Sequence, residues 1–100
     1  MKEIKCLAGL IREELEDAEK YAKKYLMYRE SDASLASLFK RIANEELTHS
    51  ALLHDQAVRI IKSFSEQGGE VPASMTAVWE WEHENMIHCR QRVQLMLESM

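Results

Sequence analysis

Apolar residues recur along the whole chain at alternating steps of three and four, the period of a helix with one buried stripe. Ile4, Leu7, Ile11, Ala18, Tyr21 and Tyr25 make the first stripe, interrupted once by Glu14. Arg29-Glu30-Ser31-Asp32 breaks the pattern, and Ser31 or Asp32 is suited to cap a second helix. The second stripe is Leu35, Phe39, Ile42, Leu53, Ala57, Ile60 and Phe64, with Glu46 and His49 in its middle. Gln67-Gly68-Gly69-Glu70-Val71-Pro72 ends it, with Gly68 or Gly69 as C-cap and Pro72 near the next start. Met75, Trp79, Glu82, Met86, Cys89, Val93, Met96 and Met100 form the third stripe. The pattern predicts an all-α fold, with helices over about residues 2–28, 33–66 and 74–99 of a single domain spanning 1–100.

The connection between the first two helices is short, which predicts an antiparallel hairpin. Residues equidistant from the turn then lie at equal height. Glu14 and Glu46 are both sixteen residues from Glu30, in the turn itself, so they lie level, roughly 24 Å from it at 1.5 Å per residue. Glu46 and His49 form a Glu-x-x-His step, which sets a carboxylate and an imidazole one turn apart on the same side of a helix. Helix bundles that hold two iron or manganese ions use this step. Two carboxylates and an imidazole thus meet in one layer of an apolar seam. An uncompensated carboxylate there costs several kcal/mol, and a divalent cation removes that cost. Oxygen ligands with an imidazole suit iron, manganese or zinc.

The same arithmetic about Gly69 sets His49 opposite Arg90 on the third helix, and Glu46 opposite Val93. Glu82 and His83 fall level with Ala57 and Gln56, roughly 10 to 16 Å from the layer. His83 and Asp17 are therefore secondary candidates as ligands. A ferritin-like dinuclear site needs a Glu from each of two helices and a Glu-x-x-His from each of two others. One chain supplies half of that set, and a two-fold homodimer would complete the four-helix arrangement.

Composition narrows the picture. One hundred residues, 46% apolar and 30% charged, with three Gly and one Pro, fit one globular domain of few, long elements. The net charge of −4 disfavours a backbone-driven nucleic-acid binder. No apolar run approaches the roughly 18 residues of a membrane span, and the N-terminus has no apolar signal core, so a cytoplasmic location is expected. Cys6 and Cys89 read as reduced thiols in or near the core. Trp79 and Trp81 cannot share a face, so one should pack and the other cover a surface. His54 falls near His83 and His88, a grouping open to a minor metal site, a proton-responsive cluster or ordinary surface histidines.

Two separated segments carry a family resemblance. Glu14-Leu15-Glu16-Asp17-Ala18-Glu19-Lys20-Tyr21, with Tyr seven residues after Glu, is similar to the first helix of ferritins and rubrerythrins. Ile42-Ala43-Asn44-Glu45-Glu46-Leu47-Thr48-His49 resembles the second helix of rubrerythrin-type proteins. Together they cover about residues 4 to 66. The resemblance implies a ferritin-like fold, iron, and chemistry with oxygen or peroxide. It makes Glu14 a terminal or bridging ligand, Glu46 a bridging carboxylate, His49 a terminal nitrogen ligand and Tyr21 a redox-active or supporting neighbour. The chain departs from the family in having three helices and no Cys-x-x-Cys pair of the rubredoxin kind. Its economy is similar to that of encapsulated ferritins, which complete their site by dimerising.

The expected function is a di-iron redox protein acting on oxygen, peroxide or ferrous iron, with manganese or zinc as alternative metals. The competing expectation is a non-enzymatic helical oligomerisation module with a structural or vestigial site. A metal-free polar layer, tied to Tyr21 or Lys24, is the plainest account of the three residues.

Overall fold

The computed structural model describes residues 2–99, and among them there are three helices and no strand: α1 (Lys2–Tyr28), α2 (Ala33–Glu66) and α3 (Ala73–Glu98). Each bound lies within one residue of the expected one. Met100, placed at the end of the third stripe, lies outside the described residues. No helix is long and apolar enough to cross a membrane.

Local chemistry sets the breaks. The Asp32 carboxylate accepts from Leu35 N at 3.1 Å, a side-chain cap that satisfies one of the free amides opening α2. At the other end, Gly69 N donates to Phe64 O and Gly68 N to Ser65 O, the paired bonds of a Schellman ending. Gly68 takes φ +82°, which a side chain would oppose. A Cβ at Gly69 would stand 2.6 Å from the Phe64 ring, which would have to move aside.

α2 runs back along α1, and α3 runs parallel to α1. Three cross-links mark the direction of α3: Arg12 to Glu82 at 2.8 Å, Arg92 to Glu19 at 3.4 Å, and Arg29 Nη1 donating to Ser99 Oγ at 3.0 Å. The result is a rod 56 Å long and 17–18 Å across.

The core is Ile11, Leu15, Ala18 and Ala22 of α1, Ala43 and Leu47 of α2, and Met86, Val93 and Leu97 of α3. This corrects the expected stripes. On α2 the buried positions are Ala36, Ala43, Leu47, Ser50 and Ala57, whereas Leu35, Phe39, Ile42 and Glu46 are only half-buried and His49 is exposed. The buried face is turned toward α1, against which α2 packs closely, and toward the seam with α3, which α2 touches at few places. Small residues let the helices approach there, and a reading weighted to large apolar residues passes over them. Cys6 is exposed, against the expectation of a core thiol, because it lies on the far side of α1 from Ile4 and Ala8. Cys89 is half-buried, and its Sγ donates to Leu15 O at 3.7 Å. Trp79 packs against the core while Trp81 is 61% exposed.

Candidate metal centre

Glu14 stands one residue before Leu15, and Glu46 and His49 stand one residue before Leu47 and Ser50. A helix turns by about 100° per residue. All three side chains are therefore rotated together off the face that meets α3, onto the open side of the hairpin. Leu10 precedes Glu14 by one turn and Leu52 follows His49 by one turn, and both are exposed.

The three residues meet as their spacing predicts. His49 Nδ1 lies 3.4 Å from Glu14 Oε2 and 3.9 Å from Glu46 Oε2. One donor atom from each residue lies within 4.8 Å of the others, and no other group of three such residues gathers this way among the described residues. Donors sharing one ion at roughly 2.1 Å lie no more than about 4.2 Å apart, so small rotations draw the set together.

Two features describe the electrostatics of the group. Glu14 Oε2 is sealed from solvent and, while Glu46 is ionised, no donor meets it in hydrogen-bonding geometry, His49 Nδ1 standing 3.4 Å away. Buried acceptors are rarely left in this state. The Glu46 carboxyl is pushed up from 4.5 to about 7, first through hydrogen bonding to the Glu14 carboxylate, then through burial and the Glu14 charge. The nearby imidazole opposes this shift, and the Asp17 charge adds to it. Either a proton or a cation relieves such a pair.

The other candidates sit elsewhere. Asp17 is exposed and acts on Glu46 only through its charge. Tyr21 stacks on Phe39 with ring centroids 6.1 Å apart, and Phe39 lies 5.9 Å from Tyr28, so the Tyr21 ring belongs to an aromatic row toward the turn. His83 is stacked on His54 at 5.1 Å and near Trp79 at 6.1 Å, and it is not one of the three gathered residues. Glu82 is occupied by Arg12. A groove of about 380 Å³ between α1 and α3, floored by Ile11, Leu15 and Met86, lies on the other side of α1 and includes none of the three.

Two residues near the group escape a reading of the sequence for function. Ser50 is fully buried, and Arg90 reaches it from α3. Their signals are nonetheless present: Ser50 is the one hydroxyl in a stripe of Ala and Leu, and Arg90 falls level with His49. Comparison with protein-family models, curated proteins and solved structures found no match.

Proposed function

We propose that this chain is a ferritin-like metal-binding protein carrying half of a two-metal centre, completed by a second copy of itself. The observation that carries the reading is the sealed, unpartnered Glu14 Oε2, set against a protonatable Glu46 and the Nδ1 of His49. An acidic pair on a surface is common without a metal. A solvent-sealed carboxylate oxygen left without a hydrogen bond once Glu46 ionises, in a set that also offers an imidazole, favours a cation here.

The position of the group supports the second copy. Glu14 lies near the middle of α1, and Glu46 and His49 near the middle of α2. A two-fold axis through this layer would lay two rods together along their full length, so that each face meets its own equivalent. A face 56 Å long on a rod about 18 Å wide has room for the roughly 800 Å² per partner of a standard interface. Leu10, Leu38 and Leu52 are exposed on that face and would be covered.

Glu14 and Glu46 would hold metal through oxygen and His49 through nitrogen. A bound pair of iron ions supplies one-electron steps toward oxygen, peroxide or ferrous iron as substrate. The residues' own part is to keep bulk water from the buried Glu14 oxygen and, at Glu46, to give up the proton held in the metal-free pair when a cation binds. Manganese or zinc fits the same donors. The competing reading is a non-enzymatic oligomerisation module, favoured by the apolar Val78, Trp81 and Leu95 exposed on α3, away from the site.

Metal analysis decides between them. The protein purified without chelator should carry about one ion per chain, lost in Glu46→Ala and His49→Ala. Trace metal, unchanged in both variants, rejects the metal reading. Light scattering should give a dimer, and a monomer that keeps its metal rejects the shared site.

A further inference from the structure

α3 touches α2 at few places, and one of them lies directly behind the proposed ligands. Arg90 Nη1 donates to Leu47 O and to Ser50 Oγ, both at 2.9 Å. The Ser50 hydroxyl in turn donates to Leu47 O at 2.7 Å. Leu47 stands between Glu46 and His49, and Ser50 follows His49. The clamp therefore grips the very turn that carries both ligands, from the face opposite the site.

The chemistry at this spot is costly unless it has a use. Arg90 is half-buried, and no carboxylate lies within ion-pair distance of it among the described residues. Its charge is spent on a carbonyl and a hydroxyl, which neutral apolar packing would not need. What the cation does supply is geometric. One guanidinium nitrogen held against two acceptors that themselves touch pins this point of α2 to α3 and so opposes rotation of α2 about its own axis at this level. Rotation there swings Glu46 and His49 together relative to Glu14, which belongs to α1.

We infer that Arg90, with Ser50, is a positioning residue for the metal centre: it locks the Glu46–His49 turn in the register that faces Glu14. The inference rests on the reading of Glu14, Glu46 and His49 as ligands. It gives α3 a role in the site although α3 supplies no ligand. Outer partners that orient metal ligands commonly govern affinity by 10- to 100-fold, and a backbone clamp acts on two ligands at once.

Cobalt(II) is the probe, titrated into the full-length protein by calorimetry and by its visible ligand-field spectrum. Arg90→Met should weaken cobalt binding by about tenfold and alter the spectrum, while Arg90→Lys, which keeps a donor, should stay within about threefold of wild type. Val93→Ala is the control, since it loosens the same helix without touching the clamp, and it should keep both affinity and spectrum. Unchanged binding in Arg90→Met overturns the inference, and so does an equal loss in Val93→Ala. Should Arg90→Met fail to fold, Ser50→Ala decides: an altered spectrum supports the clamp, and a wild-type spectrum with wild-type affinity overturns it. No cobalt bound by the wild type rejects the ligand reading itself, and the clamp falls with it.

Discussion

The α1/α2 hairpin has two faces built from the same two helices, and they treat polar groups in opposite ways. On the face covered by α3, the polar Ser50 is fully buried and wholly partnered, donating to Leu47 O and accepting from Arg90. On the open face, Glu14 holds a sealed oxygen without a hydrogen bond unless Glu46 is protonated, and the Glu46 carboxyl is pushed up to about 7. The covered face is finished within one chain. The proposed function has the open face finished by something outside the chain. That contrast separates a structural polar group from a ligand group more sharply than composition does, since both faces carry polar residues amid Leu, Ile and Ala.

The strongest way to break the comparison is to cut into the finished face. Leu47→Ala removes a buried side chain at the centre of the core, and chemical denaturation should register a loss of about 3 kcal/mol. Leu52→Ala, five residues on and exposed, should cost under about 0.5 kcal/mol under conditions where the chain is monomeric. Equal losses would mean that the two faces are not distinct.

Next comes the charge on the open face. Glu46 has its folded value raised from 4.5 to about 7, so the folded chain binds a proton there that the unfolded chain has lost. The contribution is therefore stabilising at low pH, and it fades as pH rises from about 4.5 to about 7. In metal-free protein, Glu46→Gln should remove that decline and raise stability at pH 8 by about 1 kcal/mol, the shift being discounted for the partly open surroundings. Metal affinity should move the other way and climb through about pH 7, since the ligand must be ionised. Thermal melts across pH, with and without cobalt, test both signs. A wild-type curve that is flat between pH 5 and pH 8 without metal rejects the protonated pair.

How much of this was written in the sequence depends on what kind of signal each feature leaves. The helices were legible because Leu, Ile and Phe repeat at helical steps and because Ser31-Asp32 and Gly68-Gly69 interrupt them. The meeting of Glu14, Glu46 and His49 was legible too, since a short turn converts sequence number into height. The face of α2 that would be buried was not. Its markers are Ala36, Ala43 and Ala57, and alanine looks the same whether it lets a helix approach or merely sits on a surface. The half-buried Leu35, Phe39 and Ile42 drew the stripe toward themselves for the reason that they now look anomalous: they line a face that one chain leaves open. The exposure of His49 follows from the same rotation.

The gentlest test leaves the folded chain nearly untouched and still bears on everything the open face implies. Leu52 is 60% exposed and sits one turn beyond His49. Leu52→Glu adds a charge to a position that water already reaches in the single chain, so the helix content and the monomer's stability should change by less than about 0.5 kcal/mol. In a two-fold dimer the same position approaches its own equivalent near the axis, where two buried like charges repel. Sedimentation should therefore show a dimer turning into a monomer in a protein whose circular dichroism is unchanged. Metal content should fall with it, because each chain retains three donors and loses the other three. A variant that stays dimeric removes this face from the interface, whereas a monomer that keeps a full ion per chain assigns the site to one chain alone.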